Sequence, residues 1–316
     1  MDDINQLSPY QHILRSQQFS HEFLERLFQL TTEIKAEEGK YNEELKGKIV
    51  AMLFYEPSTR TRLSFESAAL KLGAEKITTE NAKEFSSAAK GETIEDTIKV
   101  LNAYADFIII RHFENDAAEK AIITAKKPII NAGTGKGQHP TQALLDLFTI
   151  YENFGTTTDL TIVFVGDLLR GRTVNSLVYL LAKYPNNKFI FVSPENCRIK
   201  DTIKEHLDEH SIIYTETDDL DKSLKEADVV YVTRVQKERF DDPQEYEETR
   251  GKFVIDKENV DRLDKNAIIM HPLPRLDEIS TEIDDNPRAK YFEQAHNGLY
   301  VRMALLKLLN DGEEYK

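Results

Sequence analysis

Residues 54–62 read Phe-Tyr-Glu-Pro-Ser-Thr-Arg-Thr-Arg and stand where an apolar run gives way to a helical period. The first turn of a helix offers unpaired backbone N–H groups and the positive end of its dipole; here Ser58, Thr59 and Thr61 add hydroxyls, and Arg60 and Arg62 add charge. That donor set suits a phosphate. An ordinary N-cap at Ser58 or Thr59 followed by two solvated arginines fits the same letters. Position separates the readings, because ligands of open α/β sheets lie at the carboxyl ends of strands. Residues 131–142 (Asn-Ala-Gly-Thr-Gly-Lys-Gly-Gln-His-Pro-Thr-Gln) form a second strand end that runs through a glycine loop into a helix. They match neither a Walker A sequence nor a GxGxxG fingerprint, which removes the main support for nucleotide binding. At a helix start, His139 is expected to have a depressed pKa and to polarise a carbonyl oxygen, while Gln142 can hold an amide. A histidine making a structural hydrogen bond satisfies the same position.

Arginine recurs at further strand ends. Arg111 and His112 follow the run 107–110, the segment 166–173 (Gly-Asp-Leu-Leu-Arg-Gly-Arg-Thr) follows 160–165, and 233–239 (Thr-Arg-Val-Gln-Lys-Glu-Arg) follows 228–232. A single such arginine is more often a surface charge, but several on successive strand ends suit a pocket for an anionic substrate. Residues 271–275 (His-Pro-Leu-Pro-Arg) close the set: the prolines flanking Leu273 stiffen a loop whose backbone carbonyls can accept from an amine.

These residues need a frame that brings strand ends together. Strand-like and helix-like segments alternate along the chain, which predicts an α/β fold of parallel sheets covered by helices on both faces. The pattern predicts helices over 20–39, 59–72, 93 onward and 139–154, and strands over 48–55, 106–111 and 128–131, with a polar loop at 85–90. A polar stretch at 155–159 separates the halves, and the pattern restarts. Strands are expected over 160–165, 188–192, 211–214, 228–233 and 267–270, and helices near 172–183, 198–210 and 219–227. The last segment, 291–310, carries Leu299, Met303, Leu306 and Leu309 at the spacing of an amphipathic helix. Two doubly wound parallel-sheet domains result.

The 316 residues carry 41 Lys and Arg against 55 Asp and Glu, a formal charge of −14, so nucleic acid and anionic membrane are repelled at long range. The one cysteine, Cys197, can make neither an intrachain disulfide nor a thiolate cluster, which suits a reducing compartment, with cytoplasm as the expectation. Neither a secretory leader nor an apolar run near the roughly 20 residues of a spanning helix is found, so secretion and membrane insertion are not expected.

Ser-Thr-Arg-Thr-Arg at 58–62, His-Pro-Thr-Gln at 139–142 and His-Pro-Leu-Pro-Arg at 271–275, in this order and spacing, resemble the carbamoyltransferases over essentially the whole chain. Thr-Arg-Val-Gln at 233–236 and His-Pro-Leu-Pro at 271–274 resemble the aspartate-binding motifs of the aspartate carbamoyltransferases, whereas the ornithine enzymes usually carry His-Cys-Leu-Pro. The resemblance implies a carbamoyl phosphate-binding domain over 1–140, with helix 296–316 packing back on it, and an aspartate-binding domain over 155–290. It implies that Ser58, Thr59, Arg60 and Thr61 hold the phosphate, that Arg111 and His139 contact the carbamoyl oxygen, and that Gln142 with the Leu273 and Pro274 carbonyls takes the amino group. Arg172 and Arg234, assisted by Gln236 and Arg111, would grip the aspartate carboxylates. Ser86 and Lys90 lie in a segment that family members insert into a neighbouring subunit's site, which implies a homotrimer with shared sites. The implied reaction is carbamoyl transfer to L-aspartate in pyrimidine biosynthesis, with Arg60, Thr61, Arg111 and His139 as the donors to the reacting atoms and without metal or organic cofactor. Regulatory chains are possible partners, although Leu169 and Arg170 differ from the Lys-Tyr of members built with them. A carbamoyltransferase for another amine such as ornithine, and a non-catalytic binding subunit of the same fold, are the alternatives; a dinucleotide-binding dehydrogenase lacks its glycine fingerprint.

Overall fold

The computed structural model describes residues 7–135, 137–235, 240 and 242–313. Contacts divide the chain into two compact units, one running to Leu145 and resuming at His296, the other spanning Asp146–Ala295.

The first unit is built on a parallel sheet of β1 (Ile49–Phe54), β2 (Glu75–Glu80), β3 (Phe107–His112) and β4 (Ile129–Thr134), ordered β2-β1-β3-β4. Runs such as Ile-Val-Ala-Met-Leu-Phe and Phe-Ile-Ile-Ile make central strands because helices cover both of their faces, and β3 is buried from Phe107 to Ile110. Around the sheet lie α1 (His21–Ala36), α2 (Thr59–Lys71), α3 (Ala82–Phe85), α4 (Ile94–Leu101) and α5 (Ala117–Thr124). Ser20 caps α1 by accepting from the Phe23 amide. The chain before α1 adds itself beside β4, with the Ile13 amide donating to the Ile129 carbonyl at 2.8 Å and the Asn131 amide to the Ile13 carbonyl at 2.7 Å.

After α6 (Pro140–Phe154), the second unit holds a parallel sheet of β5 (Thr161–Gly166), β6 (Lys188–Val192), β7 (Ile213–Thr217), β8 (Val229–Thr233) and β9 (Ile268–Met270), ordered β7-β6-β5-β8-β9. Its helices are α7 (Arg172–Leu181), α8 (Asp201–Glu209), α9 (Leu220–Leu224), α10 (Pro243–Thr249) and α11 (Lys257–Arg262), and α12 (Tyr291–Asn310) returns the chain to the first unit. The end of α12 is anchored there: Lys35 donates to Asn297 at 2.9 Å, Arg302 lies 5.0 Å from the centre of the Phe65 ring, and Lys307 pairs with Glu44 at 2.7 Å.

Both units use the same register device. Asp106, just before β3, accepts the Ile49 amide at 3.0 Å, and Asp228, just before β8, accepts the Thr161 amide at 2.7 Å. Each carboxylate joins the first residue of one central strand to the start of its neighbour.

Several expectations are corrected. Residues 291–310 form the expected helix, with Phe292, Ala295 and His296 exposed on one side of its first half, but 301–306 are buried without a break where it packs into the first unit. The strand β2 and the helices α10 and α11 were not expected; β2 reads Glu-Lys-Ile-Thr-Thr-Glu and is an edge strand exposed on much of its surface. The stretch 85–90 is not plain loop but the end of α3 followed by a 3₁₀ turn, Ser87–Lys90. The strand expected at 211–214 lies at Ile213–Thr217.

Replacing Asp228 with alanine leaves the Thr161 amide without its charged acceptor. The expected cost is about 1–3 kcal/mol of unfolding free energy with an unchanged denaturant slope, read from urea unfolding against wild type.

Candidate active site

In a sheet ordered β2-β1-β3-β4 the connection after β1 leaves to one side and the connection after β3 to the other, so the crevice lies at the carboxyl ends of these two strands. Phe54 is level with Arg111 in the ladder, and the Tyr55 amide donates to the Arg111 carbonyl at 2.8 Å. The chain then turns through Glu56 and Pro57 into α2. Ser58 is the N-cap, extended at φ −158° and ψ 93°, and its hydroxyl makes no capping bond to the helix. An N-cap serine that does not cap leaves the first-turn N–H groups and its own hydroxyl to something else. Thr59 and Arg60 are exposed and Thr61 is buried, its hydroxyl 3.5 Å from Nε2 of the buried His139. Arg111 donates from Nη1 to the Ala132 carbonyl at 3.3 Å, and its Nε stands 3.8 Å from a Glu56 carboxylate oxygen. The ends of β1, β3 and β4 thus supply Thr61, Arg111 and His139 to one neighbourhood. Gln142 sits in the first turn of α6, its amide donating to the His139 carbonyl at 3.0 Å.

Arg62 belongs elsewhere. It donates to Glu66 at 2.8 Å and pairs with Glu80 at 2.9 Å, and Lys76 also pairs with Glu66. Burial pushes the Glu66 carboxyl up, but Lys76 and Arg62 outweigh it and hold the group below its usual range. The second arginine of the motif therefore pins α2 to β2 instead of adding charge for a ligand. His112 is structural as well: its Nδ1 accepts the Glu114 amide at 3.0 Å, and burial lowers its pKa.

The second sheet repeats the geometry, its crevice lying between β5 and β8. Gly166 is level with Thr233, and at φ +120° a Cβ there would fall 2.1 Å from the Thr233 carbonyl oxygen, so only glycine lets β5 end against β8. Arg172 opens α7 behind Gly171 and is buried, and Arg234 is the residue directly after β8. Arg170 is held by the buried Asp167, which accepts its amide at 3.0 Å, and its guanidinium lies 3.9 Å from the centre of the Phe240 ring.

The loop after β9 is fixed at both ends. Leu273 has a φ of +52°, a conformation that costs a leucine energy, and precedes Pro274. Its amide donates to His271 Nδ1 at 2.8 Å, so that nitrogen is the acceptor and the ring proton of the neutral tautomer lies on Nε2, 2.8 Å from Glu278. Burial raises the Glu278 carboxyl, yet its bond from the His271 ring, together with backbone N–H groups, brings it below its usual value. The His271 amide donates to Gln294 at 2.8 Å, Gln294 to the buried Asp146 at 2.6 Å, and Tyr231 to the same carboxylate at 2.8 Å. Arg275 makes two bonds to Asp284, which also accepts from Tyr291 at 2.5 Å. Sequence reasoning missed Glu278, Gln294, Asp146 and Asp284; the one signal available was acidic residues following a Pro-Leu-Pro loop.

The remaining expected residues are not gathered with these. Ser86 bonds within its own segment, to the Ala82 carbonyl and the Ala88 amide, and Lys90 is exposed. Gln236 lies outside the described residues.

Two family models match the chain: the aspartate/ornithine carbamoyltransferase carbamoyl-P binding domain over residues 11–152, and the Asp/Orn binding domain over residues 158–309. The chain belongs to the aspartate/ornithine carbamoyltransferase family. It is 53% identical over 305 residues to the chloroplastic aspartate carbamoyltransferase of Oryza sativa subsp. japonica, covering 94% of this chain and 84% of that one. The catalytic subunit of M. jannaschii aspartate transcarbamoylase superposes with a TM-score of 0.89 at 46% identity, covering 97% of this chain and 100% of that one. The Trypanosoma cruzi aspartate transcarbamoylase solved with N-(phosphonacetyl)-L-aspartic acid superposes with a TM-score of 0.89 at 37% identity, covering 97% of each chain.

The His271–Glu278 pair carries a pH signature. With a native carboxyl below the reference value of 4.5, its stabilisation is full above that value and disappears as pH falls through the lower native pKa. Wild type is expected to exceed Glu278→Gln by roughly 1–3 kcal/mol near neutral pH, and the two unfolding curves should converge in acid. A pH-independent difference counts against the pairing.

Proposed function

We propose that the chain transfers the carbamoyl group of carbamoyl phosphate to the amine of L-aspartate, giving N-carbamoyl-L-aspartate and phosphate, an early step of pyrimidine biosynthesis. The observation that carries this reading is the uncapped N-terminus of α2 at the β1–β3 crevice, with Thr61 and His139 beside it. Such an end binds a phosphate through backbone N–H groups and Arg60. Thr61, Arg111 and His139 donate to the carbamoyl oxygen as it gains charge, and Gln142 with the Leu273 and Pro274 carbonyls orients the amino group. Ser58 and Thr59 complete the phosphate cradle. Arg172 and Arg234, with Gln236, take the aspartate carboxylates, in keeping with the places of the two arginines at the β5–β8 crevice.

The step balances without an added base. The aspartate nitrogen forms a bond to the carbamoyl carbon, the bond from that carbon to the bridging phosphate oxygen breaks, and the departing phosphate takes the amine proton. Most of the acceleration comes from holding two anions in line and from donors placed where charge grows.

Ser86 and Lys90 complete a neighbour's site in a homotrimer. Support comes from the exposure of Lys90 and from the resemblance of residues 85–92 to the segment that family members insert into a neighbouring subunit's site. The cytoplasm is the compartment we assign, in keeping with the buried thiol of Cys197. Among the described residues no helix is long and apolar enough to cross a membrane.

The purified chain is expected to form N-carbamoyl-L-aspartate and phosphate from the two substrates and to leave ornithine unreacted. Arg60→Ala should lower kcat by at least about 10²-fold with an unchanged circular dichroism spectrum. Full activity in that variant, product from ornithine alone, or tight binding of a phosphonate bisubstrate without turnover would each overturn the assignment. Light scattering checks the shared site: activity should follow the trimer on dilution, and a fully active monomer contradicts it.

A further inference from the structure

The last turns of α8 carry His206 and Glu209, and His210 follows as the C-cap residue. Residues three and four apart lie on one helix face, and each of these three side chains brings a ligand atom within 4.8 Å of the others. Among the described residues this is the group of histidine, cysteine and carboxylate side chains drawn together in that way.

The donors are also set in a usable state. His210 Nδ1 lies 2.8 Å from the His206 carbonyl oxygen. A carbonyl can only accept, so in the neutral ring Nδ1 holds the proton and the lone pair is on Nε2. That is how a metal-binding histidine is oriented, its second nitrogen donating to a backbone carbonyl. His206 packs edge-on against Tyr179, with ring centroids 4.7 Å apart, and faces the His210 ring at 4.2 Å. His206 is half-buried and held between two rings, His210 is held by its bond to the His206 carbonyl, and Glu209 is exposed.

We propose that His206, Glu209 and His210 bind one divalent transition-metal ion of the zinc class, through two imidazole nitrogens and one carboxylate oxygen, with water completing the shell. Two donors bound to one tetrahedral zinc at about 2.0–2.1 Å stand roughly 3.4 Å apart, so from atoms already within 4.8 Å of one another the site closes by a small adjustment, chiefly of the exposed Glu209. Two imidazoles favour zinc, nickel or copper over the oxygen-seeking magnesium and calcium. The charge of Lys183 near His206 opposes the ion, and the Glu209 carboxylate offsets it.

This site stands apart from the proposed reaction. The end of α8 leads through Ser211, at φ +55°, into the start of β7, so it lies toward the amino-terminal edge of the second sheet, whereas Arg172 and Arg234 follow the carboxyl ends of β5 and β8. An ion there staples the helix terminus and stabilises the native chain by binding it in preference to the unfolded one.

The full chain, stripped with a chelator, is titrated with zinc chloride by calorimetry, and its thermal unfolding is followed with and without the ion. The expected result is saturation at one zinc per chain and a raised Tm that magnesium does not reproduce. His206→Ala and His210→Ala should each weaken binding at least tenfold and abolish the Tm rise, with Glu209→Gln intermediate. Far-UV circular dichroism establishes that the variants are folded, and His210→Gln repeats the loss with a side chain closer in size. Wild-type affinity in the His206→Ala/His210→Ala double variant, or no saturable binding by wild type, overturns the proposal.

Discussion

The register of one strand pair in each sheet governs everything that follows. Asp106 ties the start of β3 to Ile49, and Asp228 ties the start of β8 to Thr161, so the far ends of these strands are fixed too: Phe54 stands level with Arg111 and Gly166 with Thr233. These are also the pairs at which the crossovers diverge, leaving their carboxyl ends uncovered by a connection. A slip of one residue would turn Arg111 to the other face of its sheet. Two carboxylates at one edge of the sheets thus determine where the candidate ligand-binding arginines stand at the other.

Around those strand ends the structure divides its arginines by partner. Arg62 is committed to Glu66 and Glu80, Arg170 to Asp167 and the Phe240 ring, and Arg275 to Asp284. Each holds a segment that also carries a proposed ligand contact: the first turn of α2, the approach to α7, and the loop of Leu273. Arg60, two residues before Arg62, is exposed at the helix terminus. On the proposed reading the same side-chain type serves two purposes within one turn. The difference is set by the helical period, which turns Arg62 toward β2 and its carboxylate.

The strands that the sequence made legible were those whose apolar runs announce burial on both faces, β1, β3, β4, β5, β6, β8 and β9. The strand β2 escaped because an edge strand of Glu-Lys-Ile-Thr-Thr-Glu has no apolar face to declare, and its place is set by the ladder to β1. For α12 the leucine spacing reads correctly as a helix packing on the body, but the unbroken burial of 301–306 does not show in it, since a stripe looks the same whether the opposite face meets water or protein. At the candidate site, residues next to strand ends were legible because position and chemistry coincide there. The supports were not: Asp146 meets Gln294 across 148 positions of sequence, and no local pattern encodes that contact. His271 and Glu278 are close in sequence but lie in irregular chain, where no period predicts which side chains face each other.

The charge of −14 and a proposed pair of anionic substrates are compatible for a reason of scale. At physiological ionic strength the field of an exposed charge is screened over about 8 Å, so acidic groups farther away than that act weakly on a small ion at a strand end. A polyanion spans many such lengths and meets the whole surface; its binding depends on an extended basic track that this chain's balance of charge opposes. A phosphate meets a few donors at about 3 Å, where hydrogen bonds from an uncapped helix terminus and a guanidinium outweigh a distant screened repulsion. The net charge therefore selects against the size of an anion and not against its sign. Repulsion of polyanions and the proposed capture of small dianions are compatible with one and the same net charge.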